Sequence, residues 1–228
     1  MSKHIVVIGA SRGIGAALVK HFAGNPGHQV YAFARNIDRM NTLFTEENVH
    51  CFSLDLESNI EEQLDSISDQ LPFIDVIIEN AGFLVNKPFP QLTHTDIRSS
   101  YQVNVIGVME NIQWFLPKLN PEGSHIVNIS SMGGFQGSMK FAGLAAYSTS
   151  KAALCSFTEL FAEEYKETTI KMNCLCLGAV QTEMLEQAFP GYQAPLTPEQ
   201  MASFIADFSL SAHRYLNGKI IPVSLTNP

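Results

Sequence analysis

Short apolar runs punctuate the chain at regular intervals. Ile5, Val6, Val7 and Ile8 are consecutive, and so are Val76, Ile77 and Ile78. Continuous runs of this kind mark strands buried on both faces, as in a parallel sheet covered by helices. The pattern predicts strands over 4–9, 29–34, 49–54, 74–79, 124–130, 170–177 and 219–223. Longer stretches between them carry apolar residues at helical spacing and predict helices over 13–24, 57–70, 94–119, 145–167 and 198–212. Thr197, Pro198 and Gln200 give a start signal: a capping hydroxyl, a proline at the first helical position and a glutamine three residues past the cap. Thr93 with Asp96 is a weaker start of the same kind. Alternating strands and helices imply right-handed βαβ units, and hence an α/β, doubly wound parallel sheet within a single domain over 1–228. The segment 183–196 interrupts the alternation with Pro190, Gly191 and Pro195, and reads as a mobile loop beside the substrate.

Composition narrows the function classes. Apolar residues make up 46% and charged residues 16%, enough for a sizeable core and too little charge for disorder. Fourteen basic against 22 acidic residues leave a net charge of −8, which disfavours a nucleic-acid or anionic-membrane surface. No stretch approaches the ~20 apolar residues of a membrane span, and the apolar run before Gly9 is too short for a signal peptide. Cys174 and Cys176 share one face of a predicted strand. With no histidine cluster nearby they read, with Cys51 and Cys155, as small core residues of a reduced cytoplasmic protein, and no metal is expected.

Chemistry gathers where strands end. Gly9, Gly13 and Gly15 follow the first strand, a spacing that lets the backbone turn sharply and offer a helix N-terminus to a pyrophosphate. The second strand ends at Arg35, where an NAD site usually carries an acid, and Arg12 lies inside the glycine turn. Two guanidinium groups suit a 2′-phosphate, so NADP(H) is expected over NAD(H). Asp55 is placed to meet an adenine amino group or to cap the stretch beginning near Glu57. Asn80, Ala81 and Gly82 close the fourth strand, and Ala81 and Gly82 have almost no side chain, which leaves room for a ribose or a ring. Tyr147 and Lys151 stand one helical turn apart, where an ammonium beside the phenol lowers its pKa and suits it to proton transfer.

Taken in order, these motifs, with Asn104, the Ser130–Ser131 strand end and the Gly178 to Thr182 segment, resemble the short-chain dehydrogenase/reductase family. The resemblance spans almost the whole chain. It implies a Rossmann-type sheet in the order 3-2-1-4-5-6-7 and hydride transfer between a nicotinamide cofactor and a carbonyl or alcohol of small-molecule size. It implies Tyr147 as acid/base, Lys151 as its tuning partner and a ribose ligand, and Asn104 as holder of a relay water. It implies Ser131 as the residue that hydrogen-bonds the substrate oxygen, with Ser130 and then Ser138 as the alternatives. The cofactor set it implies adds Ser11, Ile14, Leu56, Gly178, Val180 and Thr182 to the residues above. A homodimer or homotetramer through the helices near 94–119 and 145–167 is also implied. The sequence departs from the family pattern at Ile8, where threonine is usual, at Glu79, where asparagine is usual, and at Leu177, where proline is usual. A cofactor-binding regulatory protein with little turnover is the rival expectation.

Overall fold

The computed structural model describes residues 2–225. Seven strands form one parallel sheet in the order β3-β2-β1-β4-β5-β6-β7. They are β1 (His4–Ile8), β2 (Gln29–Ala34), β3 (Val49–Ser53), β4 (Val76–Glu79), β5 (Ser124–Ser131), β6 (Ile170–Leu177) and β7 (Ile220–Val223). The helices are α1 (Gly13–Ala23), α2 (Ile37–Leu43), α3 (Ile60–Asp65), α4 (His94–Tyr101), α5 (Gly107–Phe115), α6 (Ala145–Glu164), α7 (Glu183–Ala188) and α8 (Pro198–Ser211).

The strands alternate their apolar side chains between two cores. Ile5 and Val7 of β1, with Val30 and Ala32 of β2, meet Leu18, Phe22 and Ile205 of α1 and α8 on one face. Val6, Ile8, Tyr31 and Phe33 meet Ile112, Phe115 and Leu154 of α5 and α6 on the other. Burial on both faces is what removes polar alternation from these runs. Pro222 interrupts no ladder between two neighbours, because β7 is an edge strand paired only with β6.

Four helical expectations change. The stretch 57–70 contains only α3 and a short 3₁₀ turn at Ser68–Gln70. The expected helix over 94–119 is α4 and α5 joined by a π-helical turn, Gln102–Ile106, with a further 3₁₀ turn at Leu116–Lys118. α2 was not expected: it is seven residues long and buries only Met40, too little to leave a periodic signal. The segment 183–196, expected to be a mobile loop, begins with α7 and is tied down. Asn86 Nδ2 donates to Ala188 O at 2.8 Å, Gln181 N to Leu196 O at 2.8 Å, and Ala194 N to Gln181 Oε1 at 2.7 Å.

Candidate active site

β1 ends in a turn that only glycine permits. Gly9 has φ +83, and a Cβ there would lie 2.7 Å from the Ala81 backbone. Gly9 N and Ala10 N both donate to Phe33 O, at 2.8 and 3.0 Å, which folds the turn onto β2. Asn80 Nδ2 donates to Gly9 O at 3.0 Å and joins the turn to the end of β4. A Cβ on Gly15 would overlap the Gly9 carbonyl, so that glycine sets the approach of α1 to the sheet. The first turn of α1 has no side-chain cap and no acidic residue, so its N–H groups and dipole are available to an anion. These features fit a dinucleotide pyrophosphate.

The C-terminal ends of the strands surround a cleft of about 690 Å³. Among the predicted cofactor and catalytic residues, all line it except Gly15 and Asn104. Ser138 lies outside it, its hydroxyl donating to Met132 O and to Phe135 O. Arg12 and Arg35 both reach the cleft, joined by Arg39, which sequence reasoning missed although it lies one helical turn beyond Arg35. Arg35 is not free: Nη1 lies 3.6 Å from Glu57 Oε2, and Arg39 pairs with Glu183 at 3.4 Å. Asp55 lies on the cleft wall and accepts from Glu57 N at 3.0 Å, but the expected capping role is corrected: the helix starts later, at Ile60, and Asn59 caps it. Thr182 caps α7 through Leu185 N at 3.2 Å and lines the same cleft.

Ser131, at the end of β5, and Tyr147, in the first turn of α6, both line the cleft. Ser130 faces the other way. Its Oγ donates to Lys151 O at 2.9 Å and accepts from Cys155 Sγ at 3.4 Å. The expected tuning of Tyr147 is corrected. Burial pushes the phenol above its ordinary pKa of 10; Ser131 only partly opposes this, and Cys176 adds to it. Lys151 is not among the groups that lower it; its Nζ donates to Ile129 O at 2.8 Å. Burial lowers Lys151 itself to about 8, opposed by the nearby thiols and Glu79.

Asn104 is fully buried on the π-helical turn. Its Oδ1 accepts from Phe83 N at 2.8 Å, and its Nδ2 donates to Phe83 O and to Ser150 Oγ, both at 2.9 Å. The carboxamide is thus committed to positioning the chain beside Gly82. A Cβ on Gly82 would touch Asn104 Oδ1 at 3.6 Å and Lys151 Nζ and Met184 Cε at 3.7 Å. That glycine leaves open a gap shared by α6, the π turn and α7.

Glu79, at the end of β4, is buried within the field of Lys151. Asn111 Nδ2 donates to its Oε1, while Glu79 Oε2 and Asn111 Oδ1 have no partner among the described residues. A neutral carboxylic acid resolves both orphans, since its O–H donates to the free amide oxygen and closes a two-bond pair. Burial, against the opposing pull of Asn111 and Lys151, holds Glu79 at about 8, consistent with the acid form.

A family model described as short chain dehydrogenase matches residues 3–193. The chain belongs to the short-chain dehydrogenase family. It is an oxidoreductase of that family, with the Rossmann-type strand order the sequence implied. Dehydrogenase/reductase SDR family member 6 of Xenopus laevis is 32% identical over 207 residues, covering 90% of this chain and 81% of that relative. Carbonyl reductase family member 4 of the same species is 28% identical over 234 residues, covering 98% of this chain and 97% of the relative. The solved structure of ElxO with NADP bound shares the fold, with a TM-score of 0.85 at 23% identity over 98% of each chain.

Proposed function

We propose that this short-chain dehydrogenase is an NADP(H)-dependent oxidoreductase that interconverts an apolar carbonyl compound and its alcohol, with Tyr147 as general acid/base. One observation carries the reading: the Ser131–Tyr147 pair opens on the same cleft as the glycine turn. A nicotinamide dinucleotide, when bound, supplies or accepts the hydride. The turn from Gly9 to Gly15 and the open amides of α1 would hold its pyrophosphate. Arg12, Arg35 and Arg39 would hold a 2′-phosphate, a preference that the NADP complex of ElxO supports. Asp55 and Leu56 would flank the adenine end, and Lys151, Val180 and Thr182 the nicotinamide end.

In reduction, Tyr147 gives its proton to the developing alkoxide while Ser131 donates a hydrogen bond to the same oxygen. A phenol kept protonated by burial is already in the form this direction needs. Oxidation needs the tyrosinate, which the charge of a protonated Lys151 on the same face of α6 would favour. Phe83, Met139, Phe141, Met184, Phe189 and Tyr192 line the substrate end, which suits an apolar or aromatic compound. The name of the carbonyl reductase relative supports the same class. Exposed Ile97, Ile106, Met109 and Leu160 along α4, the π turn, α5 and α6 support a homo-oligomer through those helices. Four free thiols agree with a cytoplasmic location. No helix among the described residues is long and apolar enough to cross a membrane.

A second reading, a cofactor-binding regulator with little turnover, is favoured by Lys151 resting on Ile129 O rather than tuning Tyr147. The two separate in one assay. Oxidation of NADPH and NADH is followed by reduced-nicotinamide absorbance against a panel of apolar aldehydes and ketones. Turnover with NADPH, abolished by Tyr147→Phe while NADPH still binds, is the expected result. Cofactor binding without turnover across the panel selects the regulator.

A further inference from the structure

Behind Lys151 lies a cluster of side chains that carbonyl chemistry leaves unused. Cys174 and Cys176 project from one face of β6, and α6 lays Cys155 against them. Cys155 Sγ is 3.9 Å from Cys174 Sγ and 3.6 Å from Cys176 Sγ, and all three sulfurs lie within 4.8 Å of one another. All three thiols are buried, and Met132 packs in the same cluster.

The geometry is that of a coordination triangle. With sides of 3.6 and 3.9 Å and a third of at most 4.8 Å, the point equidistant from the sulfurs lies about 2.4 Å or less from each. That is close to a metal–thiolate bond length, about 2.3 Å for zinc. Among the described residues no fourth histidine, cysteine or carboxylate joins the cluster. Zinc is almost always four-coordinate, so three sulfurs alone leave its shell incomplete. Soft ions that accept three thiolates fit better. Charge decides among these. Three buried thiolates carry three negative charges, and a monovalent ion would leave two uncompensated against one Lys151 ammonium. A trivalent centre leaves none.

We propose that Cys155, Cys174 and Cys176 form a trithiolate site for a trivalent thiophilic metalloid such as arsenite. The reaction balances without a redox step: As(OH)₃ and three thiols give As(SR)₃ and three waters. Each S–H proton leaves with a hydroxide, so no ionised thiol has to persist in the core. Occupation is felt at the active site, because Cys155 follows Lys151 by one turn of α6 and gives its S–H to Ser130, which holds the Lys151 carbonyl.

The test uses the full, reduced chain. After incubation with arsenite and removal of the excess, native mass spectrometry should show one arsenic per chain in place of three protons. X-ray absorption at the arsenic edge should show three sulfur neighbours and no oxygen. Cys155→Ser and Cys176→Ser should abolish retention, while Cys51→Ser, on β3 away from the cluster, should leave it intact. The absorption experiment needs no variant and stands even where a serine disturbs the core. No retained arsenic, an oxygen or only two sulfurs in its shell, retention surviving Cys155→Ser, or zinc retained where arsenite is not would each overturn the assignment. None of these readouts depends on turnover.

Discussion

Replacing Glu79 with glutamine measures the protonation argued for the end of β4. The carboxyl titrates near 8 when folded against an ordinary 4.5. A raised folded-state pKa means that the stability supplied by the neutral acid is fully present below pH 4.5 and is lost as pH rises through about 8. At about 1.4 kcal/mol per unit, the whole loss is about 5 kcal/mol, of which about 3 kcal/mol has gone by pH 7. Glu79→Gln keeps the two-bond pair, with its amide N–H donating to Asn111 Oδ1, and has no proton to lose. Urea unfolding of both proteins from about pH 5 to about pH 8 reads the difference. The two should be nearly equal near pH 5. The variant should then gain about 1.4 kcal/mol per unit and lead by about 3 kcal/mol at pH 7. A gap that does not change with pH, or a variant that falls behind as pH rises, would refute the neutral acid and point to an ionised Glu79 paired with Lys151.

His125 should govern the acid limb. Its Nδ1–H donates to Ser209 O at 2.9 Å, Asn173 Nδ2 donates to its Nε2 at 3.0 Å, and burial depresses it to about 4 from 6.5. That stability is present above pH 6.5 and lost as pH falls through about 4, about 3 kcal/mol in all, so His125→Gln should flatten the acid limb of urea-unfolding stability. Arg35→Asp should weaken NADPH binding roughly 10- to 100-fold, the worth of one charge-assisted contact, and spare NADH in fluorescence titrations. The same substitution should barely change melting, because the Arg35 ion pair with Glu57 is exposed. Equal loss of both cofactors would count against the phosphate role.

The sheet was legible because its strands are apolar on both faces, so runs such as Val76 to Ile78 need no periodicity to be seen. The glycine turn was legible for a different reason, since Gly9 and Gly15 occupy positions where any Cβ collides. What escaped had no local signature. α7 has no fully buried residue, and its Pro190–Gly191 boundary read as a loop. The meeting of Cys155 with Cys174 and Cys176 crosses from helix to sheet over 19 and 21 residues. The Glu79–Asn111 pair spans 32 residues, and neither partner announces the other. The direction of the Tyr147 shift escaped as well: spacing puts an ammonium on the right face of α6 but says nothing of the Ile129 carbonyl that engages it.

The wider turn at Gln102–Ile106 accommodates one more residue than a regular helix would. Excising a single residue there would return the rod to its regular pitch, and the helix beyond it would keep its phase, because the wide turn has already absorbed the surplus. Asn104 would be drawn off the Phe83 backbone, while Gly107 would keep its place beneath Leu56 for want of a side chain. The outward stripe of Met109 with Ile97 would stay as it is. One surplus amino acid therefore lets the wall of the cleft be reshaped without disturbing the outer surface of the molecule.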